Sequence, residues 1–227
     1  MSFVITIGRE YGSGGRYIAQ ELAKKLKVKY YDGQLLTKVA KEAGYAEDFV
    51  KENDEKKESF WNGFFSNGMV DPININTPTQ SVAFATFDTI RKIAEKESCV
   101  IVGRCSSFIL KERSNVLNVF ITAPMQDKVN RAITYYGLDA ATAESKINKE
   151  NKNRAKYFNF YTDDEWGKAS SYDLCLSSDI GIEESVDIII EYAKKKKLIW
   201  FWLTIILIET TILTTIASGN TQKDMFI

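Results

Sequence analysis

The chain sets Gly8-Arg9-Glu10-Tyr11-Gly12-Ser13-Gly14-Gly15-Arg16 between the apolar run Phe3 to Ile7 and a stripe of Ile18, Ala19, Leu22, Ala23 and Leu26. The run reads as a strand and the stripe, with its 3.6-residue spacing, as a helix. A strand entering a helix through a glycine loop is the device by which α/β folds hold anions. Glycines let the backbone turn its N–H groups inward, and the helix beyond adds a positive dipole end. Residues Gly8 to Tyr17 are therefore the expected phosphate cradle. The loop departs from GxxxxGK[ST], the pattern in which a lysine and a hydroxyl complete the site. With Gly12 and Gly14 as the later glycines, Gly15 stands where the lysine belongs and Tyr17 where the metal-binding Ser or Thr belongs. Arg16 is then the available cation. The other reading is a tight strand-to-helix turn that needs glycines merely for packing, but four glycines with Ser13 and two arginines exceed what such a turn needs.

The rest of the first 193 residues alternates in the same way. Val28 to Tyr31 reads as a second strand ending at Asp32, and Leu35, Leu36, Val39 and Ala40 give a helical stripe. Residues 45–78 are irregular and rich in aromatics, Asn and Lys, as expected of an insertion over a site. Helical periodicity returns through Val82, Ala83, Phe87, Ile90 and Ala94, and Cys99 to Val102 is a continuous apolar run suited to a central parallel strand. Gly103 and Arg104 follow directly. Val116 to Ile121 predicts a fourth strand, with Pro124 at the first position of the next helix and Gly137 as its stop. Asp139 is the expected cap of a helix reaching Phe158. Leu174 to Leu176 predicts a fifth strand, and Ile182, Val186, Ile189, Ile190 and Ala193 a closing helix. Five short strands separated by helices imply a parallel sheet covered on both faces.

Composition removes several chemistries. There are 30 basic and 30 acidic residues and no histidine. No positive field is available for backbone-dominated nucleic-acid binding, and no Ser-His or Cys-His dyad or histidine metal site can form. Cys99, Cys105 and Cys175 lack CxxC spacing and lie in apolar runs, which predicts reduced thiols in or near the core of a cytoplasmic protein. At the other end, Lys194 to Lys197 precede Leu198 to Ala217, whose only charge is Glu209. This composition shift predicts a domain over 1–193 and an appended tail over 194–227. Residues 198–217 are about 20 in number, long enough at 1.5 Å rise to cross a ~30 Å hydrocarbon core. Glu209 and the threonines oppose that use, so a C-terminal membrane anchor and a segment packed elsewhere both stay open.

The segments ITIGREYGSGGRYIAQELAKKL, YYDGQLL, VIVGRCSSFIL, VFITAP, NKNRAKYFNFY and SSYDLCLSSD together resemble the cytidylate kinase-like group of P-loop nucleoside monophosphate kinases. The resemblance spans residues 2–193. It implies a three-layer sandwich on a five-stranded parallel sheet of order 2-3-1-4-5, an acceptor-side insertion near 45–78 and a helical lid near 139–168. It further implies ATP with Mg²⁺ as donor and CMP or dCMP as acceptor. Arg104 resembles the family's acceptor-phosphate arginine, although Cys105 stands where cytidylate kinases proper carry Asp. Arg131 and Arg154 resemble the arginines around a closing lid.

Phosphoryl transfer needs charge neutralised around the moving group more than it needs covalent help. The expected catalytic set is therefore Arg16, Arg104, Arg131 and Arg154. Asp32, Arg104 and Cys105 are the expected acceptor side, with Asp32 open between acceptor carboxylate and helix cap. Asp173 is expected to position the last loop or the adenine-side backbone. No acid follows Cys99 to Val102, which leaves Ser13 or Glu10 as the metal-side candidates. Phe60, Trp61, Phe64 and Phe65, with Tyr157, Phe158, Phe160, Tyr161 and Trp166, either stack a base or pack a subdomain. Two other readings remain: a nucleotide-binding regulator without catalysis, and a kinase of another small acceptor.

Overall fold

The structure, a computed structural model, describes residues 2–42 and 78–199. Strands β1 (Val4–Arg9), β2 (Lys29–Tyr31), β3 (Cys99–Val102), β4 (Val116–Thr122) and β5 (Leu174–Ser177) form one sheet of order β2-β3-β1-β4-β5. Every pairing is parallel. Helices α1 (Gly15–Lys25), α2 (Gly33–Glu42), α3 (Pro78–Lys96), α4 (Ser106–Ile109), α5 (Met125–Tyr136), α6 (Ala140–Tyr161) and α7 (Ile182–Lys195) complete the described fold. It is the three-layer α/β sandwich, in the strand order that the resemblance implies.

Both faces of the central strands are buried, which explains why β3 is apolar without interruption. Successive side chains point to opposite faces. Ile5 and Ile7 of β1 join Val100, Val102, Leu117 and Val119 beneath Ile18 and Leu22 of α1 and Val186 and Ile189 of α7. Val4 joins Cys99 and Ile101 on the other face, against Leu36 of α2 and Ile90 and Ala94 of α3. A third cluster, with Ala83, Phe87, Cys105 and Phe158, joins α3 to α6.

Several boundaries move. β1 runs two residues beyond the expected end at Ile7, because β4 continues beside it and pairs Gly8 with Phe120 and Arg9 with Ile121. A Cβ on Gly8 would lie 2.9 Å from the Phe120 ring, so that glycine answers to packing within the sheet. Pro124 is the N-cap of α5 and not its first helical residue: its ψ of 147° is extended. Gly137 ends α5 at φ 66°, and Asp139 caps α6 by accepting from the Ala141 amide at 2.8 Å, both as expected. α6 continues past Phe158 to Tyr161.

The expected insertion over 45–78, with Phe60, Trp61, Phe64 and Phe65, lies outside the described residues except for Pro78, which begins α3. So does the candidate anchor beyond Ile199. Among the described residues no helix is long and apolar enough to cross a membrane. The core itself runs past Ala193: Ile199 is fully buried in the cluster beneath α1 and α7, and Leu198 packs against it.

Ile199→Ala in the full chain should therefore cost about 2 to 4 kcal/mol of stability, the range for emptying a buried aliphatic site. Ile188→Ala, at a position 40% exposed, should cost under about 1 kcal/mol. Denaturant unfolding of both variants measures the difference, and equal midpoints would place Ile199 outside the core.

Candidate functional site

The loop between β1 and α1 is held from behind by its carbonyls. The Ser13 hydroxyl donates to the Glu10 carbonyl at 2.9 Å. Arg131 of α5 donates to the Gly12 carbonyl at 3.4 Å and to the Ser178 carbonyl at 3.0 Å. The Ser178 hydroxyl, just past β5, donates to the Ser13 carbonyl at 2.5 Å. Gly12 and Gly14 take φ of 78° and 76°, the left-handed region where a side chain is strained. At Gly12 a Cβ would also sit 2.8 Å from the Lys128 carbonyl. With the carbonyls anchored, the amides of Gly12, Gly14 and Gly15 find no acceptor among the described residues. Such a row of free N–H groups at a helix entrance suits a phosphate chain.

In front of the loop lies a cleft of about 490 Å³ at the carboxyl ends of β1, β2 and β3. Four guanidinium groups line it: Arg9, Arg16, Arg104 and Arg154. Three of these belong to the expected set, whereas Arg131 lies behind the loop as its clamp. The fourth, Arg9, was expected only as one loop residue among many, yet the structure gives it a distinct place. Its stem covers Gly15, where a Cβ would fall 2.7 Å from the Arg9 Cβ. Its guanidinium reaches over Gly103, where a Cβ would fall 2.3 Å from Nη1. Burial and the neighbouring Arg154 push its pKa well below the usual guanidinium range.

Arg104 is set by strain. Gly103, Arg104 and Cys105 have φ of 74°, 56° and 58°, three left-handed residues in succession of which two carry side chains. Such strain persists only where the surroundings impose it, and it concentrates at sites. The turn aims Arg104 at Gly33, where a Cβ would meet its Nε at 2.8 Å, and over the Tyr157 ring at 5.8 Å. Arg154 donates to the Arg9 carbonyl at 2.9 Å and lies 5.4 Å over the Tyr11 ring. Asn151, also on α6, accepts from the Tyr11 amide at 2.7 Å. α6 is thus docked on the loop. Burial pushes the Tyr157 hydroxyl pKa up despite Arg104, so it stays neutral.

Other expected residues do different work. Asp32 caps α2, accepting from the Gln34 and Leu35 amides at 3.1 and 3.0 Å, and also pairs with Arg16 at 2.9 Å. Asp173 accepts from the Asn118 amide at 2.8 Å and pairs with Lys196, which ties β5 to β4 away from the cleft. Tyr17 packs at a tilt against Tyr135 with ring centroids 5.5 Å apart, which corrects its expected place at the metal-binding hydroxyl: in GxxxxGK[ST] that hydroxyl directly follows the lysine, so with Gly15 at the lysine position it is Arg16 that stands there. Tyr157, Phe158 and Trp166 form the aromatic wall of the cleft, while Phe160 and Tyr161 pair with each other outside it.

A metal ion finds little here. The Glu10 carboxylate is taken by Lys128 at 3.0 Å and Thr122 at 2.5 Å, and the buried Ser13 hydroxyl is spent on the loop. Among the described residues no group of three metal-ligating side chains exists. The residues present fit a phosphate chain and do not fit a protein-held magnesium ion.

The model of the cytidylate kinase-like family matches residues 4–180. An uncharacterised protein from Eubacterium ventriosum is 34% identical, over 86% of this chain and 99% of that one, with a TM-score of 0.67. Shikimate kinase from Bacteroides thetaiotaomicron aligns at 14% identity over 85% of this chain and 98% of that one, and shikimate kinase from Acinetobacter baumannii at 12% over 87% and 96%, each with a TM-score of 0.49. No curated protein sequence matches the chain.

The same geometry sorts the thiols. Cys99 and Cys105 are buried, and burial pushes each up to about 12, in Cys105 against the pull of Arg104. Cys175 is exposed on β5, an edge strand, which corrects the expectation that all three lie in or near the core. Because the thiolate is the nucleophile, a disulfide reagent at pH 8 should label one cysteine in the native protein and three once it is unfolded. Cys175→Ser should abolish the native labelling. Rapid native labelling of Cys105 would show that the cleft wall opens.

Proposed function

The chain belongs to the cytidylate kinase-like family, and on that premise we propose that it is a phosphotransferase that moves the γ-phosphoryl group of ATP to a nucleoside monophosphate, CMP or dCMP first among them. The observation that supports this most is the charge balance of the cleft. Four guanidinium groups face it against two carboxylates, Asp32 and Glu150. Asp32 is paired with Arg16 at 2.9 Å and Glu150 with Lys146 at 2.9 Å, so both carboxylates of the cleft are engaged and its positive charge is in excess. Holding such charge in a partly desolvated site is costly unless an anion completes it.

In this reading the free amides of the loop cradle the donor phosphates. Arg104 holds the acceptor phosphate beside the aromatic wall, and Arg154 on α6, the proposed lid, closes over the phosphoryl in flight. An acceptor phosphate oxygen attacks Pγ and forms a new P–O bond. The bond from Pγ to the bridging oxygen breaks, and ADP leaves with the electron pair. No proton need be removed from a phosphate acceptor, which suits a site without histidine. Divalent metal chemistry, when present, is supplied by an ion that arrives with the nucleotide.

One observation favours a second reading, a nucleotide-binding regulator without catalysis. Gly15 provides no lysine and Glu10 is committed to Lys128. A third, a kinase of another small acceptor, draws on Cys105 standing after Arg104. Coupled ADP release measured over nucleoside monophosphates and small alcohols separates the three. Arg104→Ala and Arg154→Ala should each lower turnover by about 100-fold, the scale of removing one preorganised charge contact, with Tm changed by only a few degrees. Losses of stability that match the losses of activity would make both residues structural.

A further inference from the structure

Two glycines far apart in sequence, Gly15 and Gly103, are both vacated for one side chain. A Cβ on the first would lie 2.7 Å from the Arg9 Cβ and 3.2 Å from its Cγ, and a Cβ on the second 2.3 Å from its Nη1. Gly103 has a φ of 74°, but Gly15 has no positive φ, so its backbone does not demand glycine. What excludes a side chain at Gly15 is the Arg9 stem. The position that carries a phosphate-binding lysine in the GxxxxGK[ST] pattern is thus closed by a residue that itself brings a cation to the cleft.

The placement of Arg9 has no structural explanation of its own. Among the described residues no carboxylate is ion-paired with it, and the charges that act on it are Arg154 and Arg104, of like sign, with the more weakly acting Asp32 of opposite sign. Desolvating a guanidinium beside two others is unfavourable unless something negative is bound there. Arg9 also lies at the junction of the two halves of the cleft. Its stem belongs to the loop side and its guanidinium to the β3 side, next to the strained turn that carries Arg104.

We propose that Arg9 is the phosphate-binding cation of this site, having taken over from the strand side the place that a loop lysine holds in the common pattern. The inference rests on the phosphoryl-transfer reading above and adds to it the residue that grips the transferring group. The exchange changes the chemistry. A lysine offers a mobile point charge, whereas the planar guanidinium offers a fork that engages two phosphate oxygens at once. Arg9 therefore bridges phosphate oxygens at the junction of donor and acceptor, and Arg16 is left to its ion pair with Asp32.

A cation swap in the full-length protein tests this, with ATP and inorganic tripolyphosphate as titrants in calorimetry. Arg9→Met keeps much of the stem and removes the charge, and should weaken both ligands by about 10- to 100-fold. Arg9→Lys should fall between Arg9→Met and the parent. Gly15→Lys alone should bind more weakly than the parent, because its Cβ runs into the Arg9 stem. The double variant Arg9→Gly, Gly15→Lys should bind more tightly than Arg9→Gly alone, because the Cβ and the stem of residue 9 are both gone and the lysine has its place. If Arg9→Gly does not fold, Arg9→Met carries the test. Parent-like affinity in Arg9→Met overturns the inference and leaves the phosphoryl-transfer reading standing, as does a folded double variant no tighter than Arg9→Gly. A parent that binds neither ligand overturns the phosphoryl-transfer reading, and the inference with it.

Discussion

Everything at the site depends on the loop carbonyls being bound from behind. The carbonyls of Glu10, Gly12 and Ser13 accept from Ser13, Arg131 and Ser178 respectively. A peptide unit whose oxygen is fixed on one side presents its N–H to the other, so this clamp orients the free amides before any ligand arrives. It also joins three elements distant in sequence, since Arg131 belongs to α5 and Ser178 follows β5. The parallel order of β1, β4 and β5 makes the clamp possible, because all three strands end at the same edge of the sheet. Preorganisation of this kind costs nothing at the moment of reaction, which is why it suits transfer of a charged group.

The second feature is strain placed beside clustered positive charge. A run of three left-handed residues is unfavourable, and so are several guanidinium groups in one partly desolvated cleft. Packing supports the first of these. Cys105 lies in the cluster with Phe87 of α3 and Phe158 of α6, so the turn that aims Arg104 is held by two helices at once. α6 also sets Asn151 and Arg154 on the loop. A displacement of α6 would thus be felt at both the loop and Arg104, and in the proposed reaction this couples closure to the assembly of the charge clamp.

Legibility in the sequence followed the range of the interaction concerned. Hydrophobic period, the glycine loop, the Asp139 cap and the Gly137 stop are local signals, and each of them is found where the sequence places it. Side-chain burial followed too: Ile18, Leu22, Ile90, Ala94 and Val186 all lie in the core. Expectations failed where a partner strand or a distant residue decides. β1 keeps Gly8 and Arg9 because β4 is long enough to pair them, which nothing in residues 3–9 announces. Asp173 reads as a residue that positions a loop or a stretch of backbone, and which backbone is decided only by the fold: its carboxylate takes the backbone N–H of Asn118 on β4 and pairs with Lys196. Cys175 sits in an apolar run and is nonetheless exposed, because its strand is at the edge of the sheet.

By itself the sequence determined the class of fold, the strand-loop-helix that can cradle an anion, and a chemistry restricted to Arg, Lys, carboxylate and backbone by the absence of histidine. These depend on composition and on contacts within a few residues, which a linear chain displays directly. Only the tertiary structure decided which arginines share the cleft, that Arg131 clamps the loop from behind, and that Arg9 covers Gly15 and reaches Gly103. The reason is geometric. A long cationic side chain can point to either side of a loop, and the choice is made by whether a neighbouring position carries a Cβ, a fact that becomes visible only when residues 9, 15 and 103 are brought together.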